Sequence, residues 1–132
     1  MVKKRVLVVE DDLPTRQLLN LWLTGEGYEV RFAMNESSTL EAAEKWDPDL
    51  MLIDVLLPDE LGFEICESVR ERTSVPVMVM TARTIDADRD AAFAAGADDF
   101  IQKPFDWSDL MERVRRLLQG ATVERLSMAA ST

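Results

Sequence analysis

Residues 50–54 read Leu50-Met51-Leu52-Ile53-Asp54, four apolar side chains in a row closed by an acid. A run this short is a strand, and apolar residues at every position, not at alternate ones, mark a strand buried on both faces. Val6 to Val9 and Val77 to Met80 repeat the pattern and also end on polar residues, Glu10 and Thr81. Two weaker strands accompany them, the alternating Tyr28 to Ala33 and the short Asp99 to Gln102. Between the strands, apolar residues recur at helical spacing. Leu18, Leu19, Trp22 and Leu23 mark a first helix behind Pro14, which suits a first turn. Leu40, Ala43 and Trp46 mark the second, Ile65, Cys66 and Val69 the third, and Ala91, Ala92 and Ala95 a small-faced fourth. Leu110, Val114, Leu117 and Leu118 form a fifth, with Asp106 at its N-cap. Glycines and prolines fall between these segments, and Gly120 is read as the end of the fifth helix.

Five strands in strict alternation with five helices predict an α/β fold, a parallel sheet with helices on both faces. The common doubly wound, flavodoxin-like order for five strands is 2-1-3-4-5, with a ligand crevice between the first and third strands. Residues 1–120 complete that single domain, leaving 121–132 as a flexible tail or the start of a linker.

Composition narrows the chemistry. The chain has 132 residues, 25 acidic and 15 basic, for a net charge of −10, and contains no histidine. The acidity argues against direct nucleic-acid binding by this domain. The absence of histidine excludes Ser-His-Asp and Cys-His catalysis, His-ligated metals and a histidine phosphocarrier. A single cysteine, Cys66, allows no internal disulfide and reads as a small core residue. No apolar run is long enough for a membrane span, so a cytoplasmic domain without membrane attachment is expected.

The residue just beyond each strand carries the functional signal. Glu10, Asp11 and Asp12 follow the first strand, Asp54 closes the third, Thr81 the fourth, and Lys103 follows the fifth. In the expected topology all face one sheet edge, with Glu10, Asp11 and Asp54 beside the crevice. Crowded carboxylates either hold protons or recruit a cation, and oxygen-only donors suit Mg²⁺, with Mn²⁺ as an alternative. A carboxylate beside such an ion can accept a phosphoryl group, while a lysine and a hydroxyl hold its oxygens.

With these residues in place, the chain resembles the receiver domain of two-component response regulators. The resemblance rests on Val8-Val9-Glu10-Asp11-Asp12, Leu52-Ile53-Asp54 with Leu57-Pro58 and Gly62, Met80-Thr81-Ala82, and Gly96-Ala97-Asp98-Asp99-Phe100 with Lys103-Pro104-Phe105, in family order across residues 3–120. It implies that Asp54 is the phosphoacceptor. Glu10, Asp11, Asp54 and the Leu56 backbone carbonyl would form the metal site. Thr81 and Lys103 would contact the phosphoryl group, and Thr81 with Phe100 would form the conformational switch. The Lys103-Pro104 bond is cis in typical members, and the Leu56 and Arg83 positions modulate phosphoryl lifetime. The implied donor is a sensor histidine kinase or a histidine phosphotransfer protein. The implied output is a change in the face formed by the fourth helix, fifth strand and fifth helix. No enzymatic turnover is implied beyond self-catalysed phosphotransfer and dephosphorylation.

Other readings remain beside this one. Asp12 reads better as a helix cap than as a ligand. Arg89, Asp99, Asp109 and Arg113 fall where transcriptional members form a homodimer, but also read as an ordinary solvated charged face. An aspartyl-phosphate phosphohydrolase would carry an acid where Leu56 stands. A flavin carrier would want a hydroxyl- and glycine-rich phosphate loop where Glu10-Asp11-Asp12 would repel a phosphate. A receiver-like module that binds partners without phosphorylation uses the same fold.

Overall fold

A computed structural model describes the backbone of residues 2–83 and 86–131 and the side chains through Gly120. Strand β1 (Arg5–Val9) leads into α1 (Leu13–Gly25), then β2 (Glu29–Ala33), α2 (Glu36–Lys45), β3 (Leu50–Asp54) and α3 (Gly62–Arg72). Strand β4 (Val77–Thr81), α4 (Asp86–Ala94), β5 (Asp99–Gln102) and α5 (Trp107–Ser131) complete the alternation. All strand pairs are parallel, in the order β2-β1-β3-β4-β5 expected from the sequence.

The continuous apolar runs do what two-sided burial requires. One row of side chains, including Leu7, Val9, Met51, Ile53, Val77 and Val79, packs under α2, α3 and α4 through Leu40, Ile65, Cys66, Val69 and Ala92. The alternate row, Val6, Val8, Leu50, Leu52, Met78, Met80 and Ile101, packs under α1 and α5 through Leu19, Leu23, Leu110, Met111 and Val114. Strand residues alternate between faces, so one run serves two helical layers. Trp46 is buried, Trp22 half-buried and Trp107 exposed.

The helix starts follow local chemistry. Asp12 caps α1, its carboxylate accepting from the Thr15 backbone N–H at 3.1 Å, with Pro14 in the first turn. Asn35 and Ser38 form a reciprocal capping box on α2. At α5 the Asp106 carboxylate accepts from the Ser108 hydroxyl at 2.6 Å. The far end of α5 departs from expectation, because the helix runs through Gly120 to Ser131. One interior glycine costs about 1 kcal/mol relative to alanine, too little to end a helix whose neighbours Leu118, Gln119 and Ala121 favour it. The side chains of 121–131 and Thr132, assigned to a tail or linker from the sequence, lie outside the described residues.

Two glycines are dictated by space. At Gly96, φ is +101° and an added Cβ would meet the Arg70 side chain at 2.5 Å. The Arg70 guanidinium donates to the carbonyls of Gly96 and Val75, at 2.6 and 2.5 Å, and tethers α3 to the strand layer. At Gly62, the first residue of α3, the N–H donates to the Val55 carbonyl at 2.8 Å. A Cβ there would lie 2.1 Å from the Asp54 carbonyl oxygen. Gly62 therefore lets the loop after β3 fold tightly against the strand end that carries Asp54. Gly62→Ala is expected to destabilise the fold by about 1–3 kcal/mol in urea unfolding, as overpacking against immobile backbone does. Gly120→Ala, with nothing within 4 Å, should leave stability unchanged or raise it.

Candidate functional site

The register explains how distant residues meet. Val9 pairs with Ile53, so Glu10 and Asp54 stand side by side at the ends of adjacent strands. Asp54 pairs with Met80, and Thr81 with Gln102, which places Thr81 and Lys103 one step along the same edge. Glu10, Asp54 and Lys103 continue the rows of Val6-Val8, Leu50-Leu52 and Ile101 on the face covered by α1 and α5. The core rows thus end in charge where the helical cover ends.

Glu10, Asp11 and Asp54 each offer a carboxylate oxygen, all within 4.8 Å of one another. Glu10 and Asp54 are buried, while Asp11 stands more open. The Lys103 ammonium reaches into the cluster, 2.7 Å from Glu10 Oε2 and 3.4 Å from Asp54 Oδ2. Backbone donors complete the set. The Asp12 N–H gives to Glu10 Oε1 at 3.1 Å, and the Leu56 N–H points to Asp54 Oδ1 at 3.4 Å. The Leu56 side chain itself is exposed.

Electrostatics follow from this crowding. Burial, then the Glu10 charge, push the Asp54 carboxyl up to about 6, with the Lys103 ammonium pulling the other way. Burial alone would lower Lys103, but its hydrogen bond to Glu10 and the charges of Asp54 and Glu10 outweigh that and hold it above the ordinary lysine range. Three carboxylates face one ammonium. The donor set is oxygen-only and short of positive charge, which fits a hard divalent cation.

Thr81 is fully buried, and its hydroxyl accepts from the Arg83 N–H at 3.1 Å. It makes no hydrogen bond to Asp54 among the described residues. Its carbonyl accepts from the Lys103 N–H at 2.6 Å, just before a cis Lys103-Pro104 bond. Phe100 is not part of the acidic cluster. It is half-buried and lines a surface depression of about 570 Å³ with Arg89, Phe93, Asp99, Asp109 and Arg113. On that face Arg113 pairs within its own chain, 2.8 Å from Asp99 and 3.0 Å from Asp109, while Arg89 has no ion pair among the described residues.

One arrangement was missed from the sequence. Arg83 forms a two-pronged ion pair with Asp88 in the first turn of α4, Nε to Oδ2 at 2.6 Å and Nη2 to Oδ1 at 2.9 Å. Asp88 is only 4% exposed. An acid in a first turn ordinarily reads as a solvated partner of the helix dipole, so only the five-residue Arg-to-Asp spacing could have hinted at the pair.

Comparison with known proteins gives a consistent picture. Residues 6–115 match the model of the response regulator receiver domain. The chain is 36% identical over 131 residues to the DNA-binding response regulator MtrA of Mycolicibacterium paratuberculosis, covering 97% of this chain and 58% of MtrA. It is 35% identical over 118 residues to the transcriptional regulatory protein ResD of Bacillus subtilis, covering 89% of this chain and 49% of ResD. The chain therefore spans about half the length of these relatives. A CheY-like response regulator receiver domain protein from Methanospirillum hungatei superposes with a TM-score of 0.86 at 31% identity, over 93% of this chain and 99% of that one. No helix among the described residues is long and apolar enough to cross a membrane.

A pH dependence follows from Asp54. Its folded-state value lies above the ordinary 3.8, so the stability tied to its neutral form is full below about pH 4 and is lost as pH rises through about 6. In Mg²⁺-free buffer, Asp54→Asn should be more stable than wild type above pH 6, on the order of 3 kcal/mol, with the difference closing below pH 4. Thermal melts across that range measure it.

Proposed function

The chain belongs to the response regulator receiver domain family, and on that premise we propose that Asp54 is its phosphoacceptor. The observation that carries the reading is the juxtaposition at one sheet edge of a buried Asp54, two further carboxylates and the Lys103 ammonium 3.4 Å away. Glu10, Asp11 and Asp54, with the Leu56 backbone carbonyl, would hold Mg²⁺ or, in its place, Mn²⁺. The bound ion would offset the negative charge of the acids and of the phosphoryl oxygens.

Membership of the receiver family implies that the donor is a phosphohistidine on a sensor histidine kinase or a histidine phosphotransfer protein, and the chain, with no histidine of its own, supplies only the acceptor side. An Asp54 carboxylate oxygen attacks phosphorus, the O–P bond forms as the N–P bond breaks, and the partner's imidazole leaves. Lys103 remains protonated throughout and places its charge against a phosphoryl oxygen as negative charge builds there. Hydrolysis of the acyl phosphate by water returns Asp54 to a carboxylate. The chain thus acts as a self-modifying switch without small-molecule turnover.

Once a phosphoryl group sits on Asp54, the Thr81 hydroxyl, which now accepts from the Arg83 N–H, gains a charged acceptor for its own proton and turns toward it. Phe100, beside the depression between α4 and α5, shifts into the space released. The face bearing Arg89, Asp99, Asp109 and Arg113 then changes shape and pairs with a second copy. Pairing through Arg113 requires that its intrachain bonds to Asp99 and Asp109 be shared or exchanged. By analogy with the relatives named as DNA-binding, the output in the whole protein is DNA binding by a separate domain. Residues 1–120 form the switch, and the segment after Gly120 leads toward that output. The cytoplasm, where such kinases present their phosphohistidine, is the compartment proposed.

Incubation with acetyl phosphate and Mg²⁺ tests the acceptor. Intact-mass spectrometry should show one added phosphoryl group, absent with a chelator and absent in Asp54→Asn. An adduct that survives Asp54→Asn would overturn the assignment.

A further inference from the structure

The Arg83–Asp88 pair lies outside the acidic cluster, yet it is connected to it through a single residue. The Arg83 backbone N–H holds the Thr81 hydroxyl at 3.1 Å, while the Arg83 side chain is held in two prongs by Asp88. Ala82 is the only residue between Thr81 and Arg83. The two restraints therefore act on one short stretch of chain between the end of β4 and the start of α4.

The pair is built as an anchor. The Asp88 carboxylate is 6% exposed, whereas the Arg83 side chain is 40% exposed. A buried carboxylate without a partner is costly, and the guanidinium fork satisfies both of its oxygens with charge-assisted bonds. Asp88 also sits in the first turn of α4, where the positive end of the helix dipole attracts an acidic side chain. Asp88 is thus fixed by the fold, and Arg83 is fixed by Asp88.

We infer that the Arg83–Asp88 clasp is a latch that holds Thr81 in its resting position and opposes phosphoryl-dependent switching. This rests on the reading of Asp54 as phosphoacceptor and adds a positioning residue to it. Movement of the Thr81 side chain toward a group on Asp54 displaces its oxygen, and the contact that oxygen accepts from the Arg83 N–H opens unless that N–H follows. That movement is easier when Arg83 is free to move with its neighbours. The coupling is reciprocal, so a weaker clasp raises the affinity of the site for a phosphoryl group, and an occupied site loosens the clasp.

The test is an equilibrium titration of the full chain with beryllium fluoride in saturating Mg²⁺, followed by calorimetry. Beryllium fluoride mimics a phosphoryl group on a carboxylate and is not hydrolysed away, so lifetime effects do not enter. Asp88→Asn is expected to bind the mimic about fivefold or more tightly than wild type. Arg83→Lys should also tighten binding, because a point charge replaces the fork while the net charge is unchanged and the buried carboxylate keeps a cation. If Asp88→Asn does not fold, Arg83→Lys carries the test. Asp86→Asn, an exposed acid in the same helical turn, should bind as wild type, which separates a latch from a loss of negative charge. Wild-type or weaker affinity in Arg83→Lys or in folded Asp88→Asn would overturn the latch, as would equal tightening in Asp86→Asn. A wild-type chain that takes up no mimic would instead overturn the acceptor reading, and the latch with it.

Discussion

Three carboxylates gather at the end of a parallel sheet with one ammonium, paired to two of them, and most of the structure around them is arranged to make that tolerable. Glu10 and Asp54 are brought side by side by the β1–β3 register, and both are buried. Two ionised carboxylates at that distance and burial would repel strongly in a low-dielectric setting. Lys103 answers part of that repulsion from β5, two strands away from Asp54 across the sheet. Burial, joined by the remainder of that repulsion, pushes the Asp54 carboxyl up to about 6. A site left short of positive charge in this way is poised to bind a cation and to respond to a new group on one of its acids.

The rest of the fold holds this edge still. The strands are filled on both faces by rows of Val, Leu, Ile and Met, so their ends have little freedom to retreat from one another. Gly62 lets the chain after Asp54 fold back without a side chain in the way, and Asp12 turns the chain directly into α1 after the acidic pair. By contrast, Thr81 is held through a loop residue, Arg83, whose own anchor lies on α4. Strand register sets the backbone of the site, Thr81 included, while the Thr81 hydroxyl is held by the N–H of Arg83, which Asp88 anchors in turn.

That division also separates what was legible in the sequence from what was not. The strands were legible because burial on both faces leaves uninterrupted apolar runs, and their order followed from strict alternation with helices. The acidic cluster was legible because topology brings strand ends together whatever lies between them in sequence. The Lys103 bonds to Glu10 and Asp54 follow from that placement. The Arg83–Asp88 clasp was not legible, since two charges five residues apart, one of them buried, leave no periodic signature. The end of α5 was misplaced for a different reason, a local breaker residue given more weight than the helix-forming residues on either side of Gly120. Arg113 shows a third case. Its charge was noticed, but its pairing with Asp99 and Asp109 inside its own chain emerged only in three dimensions.

Lys103 and a divalent cation would answer the same negative field at Glu10, Asp11 and Asp54. Calorimetric titration of Mg²⁺ into wild type and into Lys103→Met at pH 7.5, a value chosen to lie above the Asp54 titration at about 6, tests it most directly. One binding site is expected in the wild type and tighter binding in Lys103→Met, because removing the ammonium leaves the carboxylates to the ion alone. No binding in wild type, or weaker binding in Lys103→Met, would contradict it.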